Sequence, residues 1–444
     1  MQLVGERRGG SPGPPGIDGV LPREIVEPAS AEDVAAVLAA ASKERTAVVI
    51  RGGGTKMGWG RKPSSVDLVL STKALNAVVA HEHADLTATL QAGARLDEVN
   101  HILARHGQWL PIESVFDEAT IGGAIATNDS GPLRHRYGTP RDLLIGIRLA
   151  LTDGRLIKAG GNVVKNVAGY DIGRLMSGSH GSLAAIVSAT FKLSPLPAAT
   201  ETLVATFDRV DALVAAVSAI TGSQLEPAAI EIRDRSVRSD RSIRSDRSKP
   251  QNDPNDHGSN VPNVPNGPNG PNDRRTYDLL LKFESTPTAL ATYVQRACAL
   301  MKPLDSQVVS SQSEVDLWRD HIRAPWRSRG MVVRFAWLAA ALSAVLAFVE
   351  ELRNTVADVE MIGRAALGSG VLRVDADARV QRNVVERMRS RSDVFRHVVV
   401  LRAEPQLKQQ LDVWGPLGDA GSLGASVKHA LDPHGILNAG RGPV

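Results

Sequence analysis

Apolar and polar positions along this chain fall into short blocks whose period changes from one part to the next. Glu24-Ile-Val26 reads as a short strand, and Pro28-Ala-Ser-Ala-Glu-Asp33 opens a helix that runs to about Ser42. Ser30 is placed to cap that helix, with Asp33 at the third helical position where glutamate is usual. Residues 46–50 (TAVVI) are continuously apolar and read as a buried strand, which runs directly into Arg51-Gly-Gly-Gly-Thr-Lys-Met-Gly-Trp-Gly60. Residues 147–151 and 156–158 read as strands joined by the turn Thr152-Asp-Gly-Arg155, and 185–193 as a strand ending at Pro195.

Beyond residue 197 the pattern becomes one of strand–helix units. Residues 203–207, 277–283 and 332–336 read as strands, and 210–220, 289–301 and 338–356 as helices. Such alternation describes an α+β domain. It is interrupted by a six-residue repeat in 238–248 (RSDRSIRSDRS) and a three-residue repeat in 261–272 (VPNVPNGPNGPN). Neither carries enough apolar side chains to offset the entropy of ordering, so 235–275 is expected to be a disordered surface loop. The RS-type repeat balances Arg with Asp and is short, which argues against RNA binding.

Composition narrows the class. Of 444 residues, 43% are hydrophobic and 23% charged, with a formal net charge of +4. These are ordinary values for a soluble globular protein of two or three domains, and they give no reason to expect nucleic acid as a partner. The single cysteine, Cys298, excludes an internal disulfide and an iron–sulfur centre carried by this chain; its neighbours read as the apolar side of a helix, so it is expected in the core. Residues 1–20 lack the apolar segment of a signal peptide, and 9–16 (GGSPGPPG) read as a flexible tail, so a cytoplasmic protein is expected. The most apolar stretch, 335–349, is shorter than the roughly 20 residues that span a bilayer, and is expected to be a buried element.

Candidate chemistry lies in four clusters. Three consecutive glycines after a buried strand allow positive φ and close approach to a ligand, and successive N–H groups in such a turn form an anion nest suited to a pyrophosphate. Gly52 to Met57 is not a Rossmann fingerprint, and Gly58-Trp59 is not a Walker A loop; taken alone, the cluster is also compatible with a plain tight turn. The second cluster spans 111–131 (PIESVFDEATIGGAIATNDSG) and continues into Arg136-Tyr-Gly-Thr-Pro-Arg-Asp142; small residues at this density indicate backbone packed against a flat ligand or another backbone. The third is Val164-Lys-Asn-Val-Ala-Gly-Tyr-Asp171 leading to Gly178-Ser-His-Gly-Ser-Leu183. The fourth is Leu431-Asp-Pro-His-Gly-Ile-Leu-Asn-Ala-Gly-Arg441.

In this order and spacing the clusters resemble the vanillyl alcohol oxidase family, with its PCMH-type FAD-binding domain. RGGGT resembles the family's pyrophosphate loop, and GSHGSL its GSEGTLG motif, with His180 where Glu is common. DPHGILNAGR resembles DPxGILNPGK, with Ala439 replacing the usual Pro. More narrowly, VVKNVAGYDIGRLMSGSHGSL is similar to the FAD-binding subunits of bacterial glycolate oxidases. The resemblance covers about 23–197 and, more loosely, the cap.

What the resemblance implies is an α+β fold: a two-subdomain FAD-binding domain over 23–197 after a flexible tail, 1–22, and an α+β cap over 198–410. A C-terminal segment, 411–444, would return to the FAD domain. It also implies FAD held by Arg51, Gly52, Gly53, Gly54, Thr55 and Lys56, by Pro111, Thr120, Ile121, Gly122 and Gly123, and by Asn128, Gly131, Tyr137 and Gly138. Tyr170, Gly178, Ser179, Gly181 and Ile186 would complete the cradle. Residues 51–60 hold no His or Cys, so the FAD is expected to be non-covalent. His180 is either a loop residue or a flavin-tuning one; His81 and His83 read as a solvated turn.

The implied activity is flavin-dependent oxidation of a small 2-hydroxy acid, for which Arg334 and Arg373 are candidate carboxylate ligands or else salt-bridge residues. Nothing matches the HxGDGNxH-type metal motif of related D-lactate and 2-hydroxyglutarate dehydrogenases. This favours a subunit that pairs with a homologous catalytic flavin subunit and an iron–sulfur subunit, peripheral to the inner face of the membrane only through that complex. The other readings are a stand-alone oxidase or dehydrogenase for another alcohol or 2-hydroxy acid such as D-lactate, and a non-catalytic subunit with structural FAD.

Overall fold

The computed structural model describes residues 16–161, 171–235 and 276–443. The described N-terminal part holds two main sheets, beside a two-stranded pairing of Gln108–Trp109 with Ser194–Pro195. The first is parallel, with Leu68–Ser71 between Glu24–Val26 and Val48–Arg51. The second is antiparallel, in the order Val78–Glu82, Thr87–Gln91, Ala185–Lys192, Leu144–Ala150, Leu156–Gly160.

The helix Ala31–Glu44 joins the two sheets. Its Val34, Leu38 and Ala41 share a core with Val48 and Leu70 of the first sheet and Val187 of the second. It starts where Ser30 Oγ accepts the Asp33 amide at 3.0 Å and donates to the Asp33 carboxylate at 2.6 Å. It ends on Arg45 in the left-handed region. The chain returns to this layer near its C-terminus: Val48 donates to Ile436 O and accepts from Asn438 N, both at 2.8 Å, so Leu437 extends the parallel sheet.

The cap is an eight-stranded antiparallel sheet, in the order Asp305–Val309, Ala199–Phe207, Thr276–Ser285, Ala229–Arg235, Asp358–Arg364, Ser369–Asp375, Met331–Trp337, Phe395–Arg402. Side-chain alternation gives it two faces. Leu203, Ala205 and Phe207 point into the large core made with the helices Val210–Thr221, Pro287–Met301, Leu342–Arg353 and Ala378–Ser390. Val204, Ala229 and Leu280 point the other way, onto Trp318 of the helix Ser311–Arg327. That helix lies toward the N-terminal domain, where Arg323 reaches the Val115 carbonyl and the Asp117 carboxylate.

Several expectations change. The apolar stretch 335–349 is not one element: it closes the strand Met331–Trp337 and then, after extended Leu338 and a 3-10 turn at Ala339–Ala341, enters the helix Leu342–Arg353. Trp337 N donates to Gly368 O at 2.7 Å, which holds the chain in the sheet to that point. Cys298 is only partly buried, at the rim of the cap core with Sγ 3.9 Å from Ser306 Oγ, because the helix presents Leu290, Ala297 and Met301 inward instead. Part of the expected tail is packed: Ile17 is buried, and Asp18 pairs with buried Lys408 at 2.9 Å. Residues 1–15 and 236–275, including nearly all of the expected loop, lie outside the described residues. Among the described residues no helix is long and apolar enough to cross a membrane.

Candidate active site

The strand Val48–Arg51 delivers the chain into the glycine loop, and sterics explain the residue type there. A Cβ on Gly52 would stand 2.2 Å from Thr120 Oγ1, and one on Gly53 1.8 Å from the Glu118 carbonyl oxygen. Gly54 has φ +77°, a conformation glycine adopts without steric cost. Thr120 also caps the short helix Ile121–Thr127, its Oγ1 accepting from Gly123 N at 3.4 Å. IGGAIAT has two glycines and no helical stripe, so its spacing does not predict this helix; the cap and Ile121 and Ile125, both fully buried, hold it.

Between the loop, this helix and the strand Ala185–Lys192 lies a cleft of about 840 Å³. Gly52, Gly53, Gly54, Thr55 and Lys56 form one wall, and Thr120, Gly122 and Gly123 another. Gly181 and Ile186 close it, with His180, Trp59, Asn438 and Arg441. The last four were not among the expected FAD ligands, although Asn438 and Arg441 belong to the fourth sequence cluster and carried a signal there.

Arg51, Pro111, Ile121, Asn128, Gly131, Tyr137, Gly138, Gly178 and Ser179 do not line the cleft. Ile121 sits wholly in the core. Asn128 ends the short helix in the left-handed region, and its Oδ1 accepts from Arg141 N at 3.3 Å. Gly131 packs against Glu113, and Gly138 against Asp142. Tyr137 turns toward the cap and donates to Glu284 at 2.5 Å. Gly178 N donates to Ile125 O at 3.0 Å. Tyr170 lies outside the described residues.

The charge of the cleft suits a dinucleotide. No aspartate or glutamate lines it, whereas Lys56 and Arg441 do. Arg441 donates to the Asn438 side chain and to the Met57 and Trp59 carbonyls, and burial lowers its pKa to about 10. His180, at φ +53° with its backbone N–H donating to Ala126 O at 2.7 Å, has its pKa lowered to about 3 by burial and by Arg334, Arg441 and Lys56. It is a neutral imidazole at any physiological pH.

Arg334 and Arg373 separate clearly. Arg373 is committed to Asp358 and lies 3.5 Å from Glu360. Arg334, next to it in the sheet on Met331–Trp337, makes no hydrogen bond or ion pair among the described residues; burial lowers its pKa, Asp129 opposes that, and Arg364 adds to it. His81 and His83 meet His106, with ring centroids 4.8–6.1 Å apart, but no group of described His, Cys, Asp or Glu residues is arranged to hold a metal.

Comparison with known families decides the class. A model described as an FAD binding domain matches residues 22–160, and one described as the C-terminal domain of FAD linked oxidases matches 196–367. The chain carries both of these domains and is an FAD-dependent oxidoreductase. Its cofactor is accordingly FAD, and it is similar to glycolate oxidase subunit GlcD of Bacillus subtilis, 34% identical over 48% of this chain and 46% of that protein. It is also similar to glycolate oxidase subunit GlcE of Escherichia coli, 34% identical over 43% of this chain and 53% of that one. A third relative is the D-2-hydroxyglutarate dehydrogenase of Xanthomonas citri, 34% identical over 47% and 44%. The chain spans about half the length of the curated relatives it matches. Solved structures of alkyldihydroxyacetonephosphate synthase share its fold, with a TM-score of 0.65 at 16% identity over 93% of this chain and 75% of that one.

Proposed function

We propose that this FAD-dependent oxidoreductase is the FAD-binding subunit of a glycolate oxidase or dehydrogenase complex and takes part in oxidising a small 2-hydroxy acid, glycolate to glyoxylate. The observation that carries the reading is the acid-free cleft whose glycine loop cannot accept a Cβ at Gly52 or Gly53. Similarity to both GlcD and GlcE supports the glycolate assignment, and with it a complex containing a homologous flavin subunit and an iron–sulfur subunit.

In this reading the amides of Gly52 to Lys56, with Lys56 and Arg441, hold the diphosphate. Thr120, Gly122 and Gly123 lie along the cofactor, with Ile186 and Gly181 closing the cradle. The cofactor is dissociable, because the glycine loop has no residue to tether it. When bound, FAD supplies the hydride acceptor N5. The protein binds the acid, orients its hydroxyl-bearing carbon and excludes water.

One observation favours a second reading, a self-sufficient dehydrogenase of glycolate, D-lactate or a similar acid. Arg334 offers a guanidinium with no protein partner among the described residues, on a cap strand and electrostatically coupled to His180 in the cleft. Such a group suits a substrate carboxylate. The experiment is a visible spectrum of the purified chain, followed by anaerobic glycolate and D-lactate. A flavin band that bleaches supports the second reading, and one that stays oxidised supports the subunit reading. A colourless protein that does not bind added FAD overturns both.

A further inference from the structure

The face of the cap sheet that carries Ala229 also carries charge. Arg334, Val371 and Ile362 stand in one row across three adjacent strands. Arg364 lies two residues beyond Ile362, opposite Glu231, so all of these side chains share a face. From it Arg364 reaches the FAD domain, donating to Ser130 O at 2.8 Å and to Gly131 O at 3.4 Å. Gly131 O also accepts from Arg134 N at 3.3 Å. Arg134 opens the short helix Arg134–Tyr137, which packs on the cap strand Ala229–Arg235 and is tied to the cap through Tyr137 and Glu284. Arg134 of the FAD domain and Arg334 of the cap thus belong to one stretch of the domain boundary.

Most cations there are matched. Lys56 lies 2.9 Å from Asp129, Arg364 3.7 Å from Glu231, and Lys282 3.8 Å from Glu314. Arg134 and Arg334 are not: neither guanidinium makes a hydrogen bond or ion pair among the described residues. Asp142, which acts on Arg134 from further off, is engaged by the Thr139 amide and hydroxyl. Burial lowers the pKa of both arginines, and like charge adds to it, from Arg364 and Arg334 at Arg134 and from Arg364 at Arg334, where Asp129 opposes it. Two positive charges are therefore held close together, partly out of water, with no counter-ion among the described residues. A bound anion removes that cost.

We infer that Arg134 is the second ligand of the acid's carboxylate, which it grips from the FAD domain while Arg334 grips it from the cap. The inference rests on the reading in which this chain itself binds the 2-hydroxy acid. A guanidinium presents parallel N–H groups that match a carboxylate edge, and two of them cover both edges of one carboxylate. The boundary between domains is a preferred place for a small-molecule site, and Arg334 is electrostatically coupled to His180, which lines the FAD cleft. With one ligand in each domain, an acid can be held only where the two meet, which fixes its orientation as well as its charge.

The test uses full-length protein loaded with FAD, so that the diphosphate site is filled, and oxalate as the probe, a planar dicarboxylate with no C–H bond to oxidise. Binding is followed by calorimetry. Arg134→Gln and Arg334→Gln are each expected to weaken oxalate roughly 10–150-fold, the loss of a charged hydrogen bond. Arg136→Gln, an exposed neighbour, is expected to bind it as wild type does. Wild-type affinity in Arg134→Gln, an equal loss in Arg136→Gln, or no binding by the wild-type protein overturns the inference. Stability gives a second readout. Without oxalate, Arg134→Gln is expected to raise Tm, because it relieves repulsion; a lowered Tm would show that Arg134 serves a protein partner, and overturns it. Anaerobic glycolate and D-lactate separate this from the oxidation itself. Oxalate binding lost in Arg134→Gln, in a protein whose flavin neither acid bleaches, keeps the anion site and sinks the substrate reading. Bleaching that Arg134→Gln leaves unchanged does the reverse.

Discussion

Lys56 Nζ lies 2.9 Å from Asp129 Oδ2, and the two side chains are 7% and 11% exposed. Ser114 Oγ accepts from the same Nζ at 3.1 Å and donates to the same Oδ2 at 3.2 Å. The pair pins the glycine loop to the segment that follows the short helix Ile121–Thr127. Asp129→Ala leaves a buried ammonium without its partner, and is expected to cost about 3 kcal/mol. The check is the urea unfolding midpoint with and without FAD; a midpoint like that of wild type would show that the pair does not hold the loop.

Gly53→Ala forces a methyl group against the Glu118 carbonyl, a backbone atom that cannot swing away. Overpacking of this kind costs about 1–3 kcal/mol, and if the strain falls on the FAD-bound loop the affinity drops roughly 5–150-fold. Titration of apoprotein with FAD, followed by flavin fluorescence, measures this. Gly58→Ala meets nothing within 4 Å and serves as the control that should bind normally.

Arg334 and Arg373 should part company on substitution. In the self-sufficient reading, loss of a charged hydrogen bond to a substrate carboxylate costs about 1.5–3 kcal/mol, so Arg334→Ala is expected to raise the 2-hydroxy acid concentration needed for flavin bleaching roughly 10–150-fold. Arg373→Ala removes the partner of Asp358 and is expected to lower Tm while leaving bleaching by the acid unchanged. The opposite pattern would place the acid at Arg373.

Burial pushes the Glu113 carboxyl up to about 7, against the Leu133 amide it accepts from at 2.7 Å and with Lys282, Glu231 and Arg364 nearby. Its unfolded value is 4.5, so the folded state binds the proton more tightly. This site's contribution to stability is therefore full below about pH 4.5 and is lost as pH rises through 7. His180 runs the other way: with its pKa lowered from 6.5 to about 3, its contribution is present above pH 6.5 and lost as pH falls toward 3. Glu113→Gln is expected to flatten the fall in stability between pH 5 and 8 seen by urea titration. A slope as steep as in wild type would assign it to other groups.

The local signals in this sequence carry far. The Ser30 cap, the apolar run into the glycine loop, the Thr152-Asp-Gly-Arg155 hairpin and the cap's strand–helix units all reappear as elements, because each rests on contacts within a few residues. The helix Ile121–Thr127 is different. Its residues favour it weakly, and it exists because Thr120 caps it and the core encloses Ile121 and Ile125.

The site divides in the same way. Sequence alone determined that the backbone can approach a partner closely at the glycine loop and the small-residue segments, since close approach restricts residue type whatever the partner. Only the tertiary structure decided which arginine is free. Arg334 and Arg373 face each other's neighbours across two adjacent strands, yet Asp358 and Glu360 stand beside one and no carboxylate among the described residues pairs with the other. It likewise brought Asn438 and Arg441 to the glycine loop from more than 380 residues away, and laid Trp326 on Trp59. Pairing of this kind depends on strand register and domain docking, which arise from the burial of whole faces and leave no mark on the spacing of any one segment.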